Sequence, residues 1–243
     1  MSRRVNDTRR RRLVDYLRKC VRDCGRIRIE RNRGAFIAMV RDEADFLEPI
    51  VADPDRWLAS GSPLKQGNTA TLALIEHEGR KLVIKRYNIK GAAHALSRCW
   101  RPSRAWHAWL EGHRLRFLGI ATPRPLALIE RRFGPLRGRA WLIVEHCAGR
   151  SLAERPPSIA HLEPVVDLFA RLSAARISHG DMKATNLLWD GERIGLIDLD
   201  AMRQHRSAAR YRRAGRKDRE RFLRNWPDDA ALTRALSAAL RDD

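Results

Sequence analysis

Four polar residues in one short stretch combine a base, a cation and two oxygen ligands: Asp181, Lys183, Asn186 and Asp198. An aspartate can accept the proton of an attacking hydroxyl, and a lysine beside it can neutralise a phosphoryl group in transfer. Asn186 and Asp198 offer the hard oxygen atoms that Mg²⁺ prefers. The stretch therefore predicts transfer of a phosphoryl group from ATP to a hydroxyl, with Mg²⁺ as the cofactor.

These side chains need a tight loop and a hairpin to bring them together. Residues 179–186 read HGDMKATN and form the predicted loop. The apolar pairs 187–188 and 196–197 flank the turn residues Asp190-Gly191, a pattern typical of a short hairpin. Such a hairpin would return Asp198 to the base. The structural alternative is a loop of buried polar residues without chemistry.

The pattern H-x-D-x-K-x-x-N followed by an apolar residue and Asp is typical of kinase-like catalytic loops. Gly180 stands where protein kinases have the arginine of H-R-D, and no A-P-E segment follows Asp198. We therefore expect no switch based on a phosphorylated activation loop. His179 is expected to brace the loop, because Asp181 has the better position for the base.

A second group of residues, upstream, is predicted to hold the nucleotide. Strands 71–76 and 81–87 follow a turn at 64–69, where Gly67 would let backbone N–H groups approach phosphates. A single glycine is also compatible with a plain hairpin. The strand residues Val83-Ile84-Lys85 are similar to the V-A-I-K strand, whose lysine contacts the α- and β-phosphates.

A helix over 103–118 is predicted to orient that lysine. Ser103 can cap its start and Gly119 can end it. Glu111 is its one acidic residue, so we expect Glu111 to pair with Lys85.

Strands 126–130 and 140–145 are expected to follow and to lead into a hinge. Backbone groups from Glu145 to Cys147 would bind adenine there, and Gly149 would permit the turn into the next lobe. A helix over 159–175, capped by Ser158, then leads to the loop at His179.

Charge narrows the class of partner. The chain has 243 residues and a net charge of +20, which favours an anionic partner such as nucleic acid, acidic lipid, phosphorylated glycan or nucleotide. No apolar window reaches the length of a membrane span, and no signal peptide is evident. The four cysteines form no metal motif and are expected to be reduced thiols in the cytoplasm.

Basic segments lie toward both ends. Residues 1–24 predict an amphipathic helix that either rests on anionic lipid or packs on the neighbouring lobe. Residues 26–40 predict one or two strands. The arginine-rich segment 203–224 is either a solvated helix face or a docking surface for an anionic acceptor. A last helix is expected over 228–240.

The order of these motifs over residues 64–226 resembles the lipopolysaccharide core kinases, the Kdo/heptose kinase family of bacteria. The matching stretches are LKQGNTAT, VIKRYN, GIATPRP, HGDMKATN, LIDLDAM and KDRERFLRNW. The resemblance implies a protein-kinase-like fold, ATP, Mg²⁺ and a sugar hydroxyl of the lipid-linked inner core as acceptor. It implies reaction at the cytoplasmic face of the inner membrane, with the protein peripheral there.

The sequence thus predicts a bilobal, protein-kinase-like α+β fold. We expect a basic extension with the first strands over 1–60, a β-rich lobe over 61–147 and a short helical lobe over 148–243. A kinase-like enzyme acting on a protein or small-molecule hydroxyl is the first alternative, and a non-catalytic basic binding module is the second. Nucleic acid is not expected as a partner, since no RNA-binding signature is present.

Overall fold

In the computed structural model of the protein, the described residues are 3–32, 34–67, 70–88, 102–133 and 136–241. The chain forms two compact units. The first comprises Met1–Phe117 and Arg124–His146, and the second comprises Leu118–Pro123 and Cys147–Asp243.

Within the described ranges, the first unit contains a seven-stranded antiparallel sheet in the order β1-β2-β6-β7-β5-β4-β3. Its strands are β1 (Ile27–Asn32), β2 (Ala35–Val40), β3 (Ser62–Gln66), β4 (Ala70–His77), β5 (Arg80–Tyr87), β6 (Pro125–Phe133) and β7 (Leu136–Glu145). The strand pairs predicted over 71–87 and 126–145 are confirmed, and the one or two strands predicted over 26–40 are two. Both β1 and β2 join this sheet, although they belong to the predicted extension 1–60.

Helices cover both faces of the sheet: α1 (Arg3–Lys19), α2 (Ala44–Ala52), α3 (Pro54–Ser60) and α4 (Arg104–Leu118). One core includes Leu47 and Leu58 of α2 and α3, packed with Ile84 of β5. The other includes Trp109 of α4, packed with Leu142 of β7. Burying each such side chain contributes about 1.5–3 kcal/mol, so β5 and β7 are held from both sides.

The turn predicted over 64–69 is wrong in part, because Ser62–Gln66 form the edge strand β3. Lys65 and Gln66 pair with Leu72 and Thr71 of β4. All five side chains of β3 are exposed, so no alternation of apolar and polar residues marked the strand. Asn68 and Thr69 lie outside the described residues.

The helix predicted over 103–118 is confirmed as α4. Ser103 Oγ accepts a hydrogen bond from Trp106 N at 3.1 Å, so Ser103 is the N-cap. Gly119 follows the helix at a φ of 75°, a left-handed conformation that glycine adopts readily.

The N-terminal helix α1 packs on α4. Leu13 and Cys20 are buried, and Trp109 Nε1 donates to Cys20 O at 2.9 Å. The Tyr16 hydroxyl is hydrogen-bonded to His113 Nδ1 at 3.2 Å. The packing alternative therefore accounts for the apolar stripe of α1, while the four arginines at 9–12 are exposed. Among the described helices, none combines the length and hydropathy needed to cross a bilayer.

The second unit is mainly helical, with α5 (Glu163–Ala175), α6 (Ala208–Leu223) and α7 (Ala230–Ala239). Its short strands are β8 (Arg150–Ser151), β9 (Ile177–Ser178), β10 (Leu187–Trp189), β11 (Ile194–Leu196) and β12 (Arg203–Gln204). The prediction of a helix from Ile159 is wrong at its start. Ser158 Oγ instead accepts from Ala160 N, within a separate turn, and Pro164 lies in the first turn of α5, where proline needs no N–H partner.

Candidate active site

Gly180, which precedes the predicted base Asp181 in the loop, is a position that other residues would fill only with strain. Gly180 has a φ of 82°. A Cβ atom there would lie 2.9 Å from Ala201 O and 3.0 Å from the Ala201 Cβ. The difference from the H-R-D pattern therefore has a local cause, because an arginine would require a strained backbone and a displaced Ala201.

His179 braces the loop, as predicted. It is fully buried, and its Nε2 lies 3.0 Å from Ile197 O. Asp181 N donates to His179 Nδ1 at 3.3 Å. Since Nδ1 accepts from Asp181 N, Nε2 is the ring nitrogen that donates to Ile197 O, and the imidazole ties the loop of Asp181 to the segment before Asp198.

A buried carboxylate on α6 fixes the same backbone from the other side. Asp218 Oδ2 accepts from His179 N at 2.6 Å and Oδ1 accepts from Gly180 N at 2.9 Å. Burial raises the pKa of Asp218, and the two N–H donors oppose that shift. Sequence reasoning missed this residue. Its signal was an acid four residues before the apolar Phe222 in a mostly basic helix.

Asn225, just after α6, holds the far end of the loop. Its Oδ1 accepts from Ala184 N at 3.0 Å, and its Nδ2 donates to Met182 O at 3.0 Å. This residue was also missed, although it lies in the KDRERFLRNW stretch. Asp218 on α6 and Asn225 just after it therefore fix the two ends of the loop.

The predicted catalytic residues are neighbours on this loop. Asp181 Oδ2 lies 2.7 Å from Lys183 Nζ, and 30% of the Asp181 side chain is exposed. Asn186 Nδ2 donates to Asp181 O at 3.0 Å. Arg221 of α6 brings its Nε to 4.0 Å from Asp181 Oδ1. The carboxylate is thus accessible and faces cations on both sides.

The predicted hairpin between the two metal-ligand residues is confirmed. Leu187 of β10 pairs with Leu196 of β11, and Ile197 N donates to Asn186 O at 3.0 Å. Asp190 Oδ1 accepts from Glu192 N and Arg193 N in the turn, and these bonds lower the pKa of Asp190. Asp198, which directly follows Ile197, adopts a left-handed conformation with a φ of 58°.

Asn186 and Asp198 suit Mg²⁺ in their donor chemistry. The amide of Asn186 directs its Nδ2 to Asp181, and no donor in the described part of the chain bonds its Oδ1. Two protein oxygens agree with the habit of Mg²⁺, which takes its other ligands from water and phosphate. Within the described ranges, no three His, Cys, Asp or Glu side chains form a protein-only cluster for a metal ion.

In the first unit, Lys85 lies on β5, an interior strand of the sheet. It is paired with Leu72 of β4 and Leu142 of β7, and its Nζ lies 4.9 Å from the centre of the Tyr87 ring.

Glu111, the predicted partner of Lys85, has another cation beside it. Glu111 is buried, and its Oε2 accepts from Arg114 Nε at 2.8 Å. A buried carboxylate requires a cation, and Arg114 supplies one from the next turn of the same helix. The pairing of Glu111 with Lys85 stays a prediction.

Gly67 lies after β3, where its O accepts from Asn88 Nδ2 at 3.0 Å. A Cβ atom there would meet Ala70 O at 3.6 Å, an ordinary contact. The backbone at this position therefore does not itself require glycine.

The predicted hinge residues keep part of their backbone within the sheet. Glu145 N donates to Arg124 O at 3.0 Å, and His146 N donates to Lys81 O at 3.1 Å. These two N–H groups are therefore already used within the protein. The Glu145 carbonyl and the backbone of Cys147 stay the groups predicted to bind adenine. Gly149 is required for close approach, because a Cβ atom there would lie 2.8 Å from Trp189 O.

The comparison with solved structures defines the class of fold. The structure described as "WaaP in complex with acyl carrier protein" matches with a TM-score of 0.53 and 19% sequence identity, covering 84% of this chain and 99% of that chain. At this identity the likeness shows the fold alone. The antiparallel sheet unit and the helical unit thus form a protein-kinase-like α+β fold, as predicted.

The model of the lipopolysaccharide kinase (Kdo/WaaP) family matches residues 54–240, and the chain belongs to this family. The resemblance found in the sequence is confirmed. A "3-deoxy-D-manno-octulosonic acid kinase" of Stenotrophomonas maltophilia (strain R551-3) is 31% identical over 164 residues, 63% of this chain and 66% of the relative. A protein of the same name from strain K279a is 32% identical over 158 residues, 60% of this chain and 63% of the relative. The chain thus spans just under two thirds of the length of these relatives.

Proposed function

We propose that the protein is an ATP- and Mg²⁺-dependent phosphotransferase that phosphorylates a sugar hydroxyl of the lipopolysaccharide inner core. The observation that carries this proposal is the accessible Asp181 carboxylate, held on a braced loop beside Lys183 and Asn186. Kdo (3-deoxy-D-manno-octulosonic acid) is favoured over heptose as the acceptor, because the similar curated proteins are named as Kdo kinases.

The proposed chemistry assigns one task to each side chain. Asp181 accepts the proton of the acceptor hydroxyl as its oxygen bonds to the γ-phosphorus. The bond from the γ-phosphorus to the bridging oxygen breaks, and ADP leaves. Lys183 neutralises charge on the transferred group. Asn186 and Asp198 would hold Mg²⁺, which supplies further neutralisation of the phosphate oxygens when bound.

The first unit, together with Cys147 at the start of the second, would supply the nucleotide contacts. Lys85 binds the α- and β-phosphates, the loop at Gly67 covers them, and the Glu145 carbonyl with Cys147 binds adenine. Glu111, which is paired with Arg114, stays the predicted partner that orients Lys85. Convergence of these residues with Asp198 on one nucleotide stays a prediction.

A phosphotransfer assay with ATP, Mg²⁺ and purified core glycolipid tests the proposal. Asp181→Ala and Asp198→Ala should each reduce transfer by at least about 10²-fold while the thermal unfolding midpoint stays near that of the wild type. Asp228→Ala is the matched control, since Asp228 is exposed. Unchanged turnover in either site variant would remove that residue from the mechanism. Transfer only to a protein or small-molecule hydroxyl would favour the alternative acceptors.

We also propose that the protein is cytoplasmic and acts at the anionic inner face of the bacterial inner membrane, with the exposed arginines of α1 as the contact. Each basic residue near such a surface contributes about 1 kcal/mol. Replacing Arg9, Arg10, Arg11 and Arg12 together by glutamine should sharply reduce sedimentation with vesicles containing phosphatidylglycerol. Equal sedimentation of the two proteins would contradict this role for α1.

A further inference from the structure

A row of basic side chains on α6 leads to the proposed catalytic base. Arg210, Lys217 and Arg221 recur at spacings of seven and four, which places them on one helix face. They extend over about 16 Å of the helix axis. By spacings of three and four, Arg221 also falls between Asp218 and Asn225, the two residues that hold the catalytic loop. The row thus ends beside Asp181.

Arg221 has hydrogen-bonding capacity that the described protein does not use. Its Nε lies 4.0 Å from Asp181 Oδ1, which is too long for a hydrogen bond. In the described part of the chain, this contact is its one ion pair, and its guanidinium donates no hydrogen bond. The side chain is 35% exposed. The N–H donors of the planar Arg221 guanidinium are therefore accessible beside Asp181, the proposed catalytic base.

Asp181 does not need Arg221 as its main cation. Its Oδ2 is already bonded to Lys183 Nζ at 2.7 Å, and its amide N–H is held by His179. A guanidinium is suited to bind a carboxylate through two parallel hydrogen bonds. The acceptor proposed above is a sugar acid, which carries a carboxylate close to its hydroxyl groups.

We propose that Arg221 binds the carboxylate of the acceptor sugar and so selects an acidic sugar at the catalytic base. This inference rests on the proposed function and deepens it. Lys217 and Arg210 continue the basic row for negative charges farther along the acceptor. Arg221 therefore determines specificity, whereas Asp181 performs the chemistry.

The test compares two acceptors that differ by one charge: the methyl glycoside of Kdo and the methyl ester of that glycoside. The wild type should show a kcat/KM for the acid at least about tenfold above that for the ester. Arg221→Gln should lose this preference, mainly through a higher KM for the acid. The acid-to-ester ratio within one variant is independent of the fraction of protein that is folded.

The matched control is Arg212→Gln, which removes the same charge from the same helix. Arg212 is exposed and lies nine residues before Arg221, half a turn away around the helix. It should keep the wild-type preference. Arg221→Lys should retain only part of it, because an ammonium group cannot form the bidentate pair.

Two outcomes of the kinetic comparison would overturn the inference. Arg221→Gln could lower turnover of the acid and the ester equally, which would mean that Arg221 only orients Asp181. Arg212→Gln could lose the preference as well, which would indicate a general charge effect. If the wild type phosphorylates neither acceptor, the proposed function fails by itself. Binding of both glycosides by titration calorimetry then decides the inference, which stands only if an Arg221-dependent preference for the acid is found.

Discussion

At the scale of single residues, the site depends on groups that hold the loop as much as on groups that react. Gly180 lets the backbone turn against Ala201, and Asp218 accepts both N–H groups at the turn. His179 links the same loop to Ile197. A loop fixed at so many points keeps Asp181 in place before an acceptor arrives, which is the condition for catalysis by positioning.

Asp218→Asn should therefore reduce turnover although Asp218 touches no reactant. An amide has one acceptor oxygen, so its NH₂ group would face a backbone N–H. Loss of one hydrogen bond to a charged acceptor costs about 1.5–3 kcal/mol, equivalent to roughly a 10- to 100-fold fall in kcat. Steady-state kinetics with ATP and the acceptor measure the effect.

The control for this variant is Asp218→Glu, which keeps the charge but lengthens the side chain. It should recover part of the lost kcat. If Asp218→Asn turned over at the wild-type rate, the loop would not depend on this carboxylate.

At the scale of elements, the contacts of helices α4 and α6 hold neighbouring segments in place. Helix α4 is held by its cap at Ser103 and by α1, which contacts it through Tyr16 and Cys20. Glu130, fully buried on β6, accepts from Ser103 N at 3.4 Å and from two arginines. Helix α6 presents Asp218 toward the loop and arginines toward solvent. Helix α6 thus connects a packed core to the loop of the proposed chemistry.

Ser103→Ala should destabilise the first unit by about 1 kcal/mol, because Trp106 N loses its side-chain acceptor. The free energy of unfolding in urea, followed by tryptophan fluorescence, measures the loss. Ser103→Thr keeps a hydroxyl at the cap and should stay close to the wild type. Equal stability of the alanine variant and the wild type would show that the cap contributes nothing here.

At the scale of the whole molecule, the net charge of +20 is distributed unevenly. Exposed arginines are numerous on α1 and α6, whereas several acids of the first unit are used in ion pairs. Glu43, for example, pairs with Arg80 at 2.6 Å and with Arg124 at 2.8 Å. The free positive charge therefore lies on the elements for which we propose anionic partners.

Stability should depend on pH through His113, buried between α4 and α1. Burial, with Arg116 and Arg124 nearby, lowers the pKa of His113 to about 3. The unfolded state binds a proton below an ordinary pKa of about 6.5, while the folded state does not until about 3. The free energy of unfolding should therefore rise with pH in this window and fall as pH is lowered.

Between pH 7.5 and pH 5, His113 should account for a loss of about 2 kcal/mol. His113→Phe fills a similar space beside Trp109 and Tyr16 and does not titrate, so its pH dependence should be flatter by that amount. Urea unfolding of both proteins at the two pH values makes the comparison. Parallel pH profiles would mean that His113 is protonated in the folded protein.

Local sequence determined the strands, α4 and the hairpin between Asn186 and Asp198, because turn residues, caps and periodicity act over a few neighbouring positions. It also determined the family, because the order of the short motifs can be recognised without any knowledge of tertiary contacts. Tertiary structure alone decided that Asp218 and Asn225 hold the loop and that Glu111 pairs with Arg114. It also decided that Ser62–Gln66 form an edge strand and that Gly180 lies against Ala201. These outcomes depend on contacts between residues that are distant in the chain and on the cation nearest to a buried carboxylate. The spacing of residues along the chain determines neither.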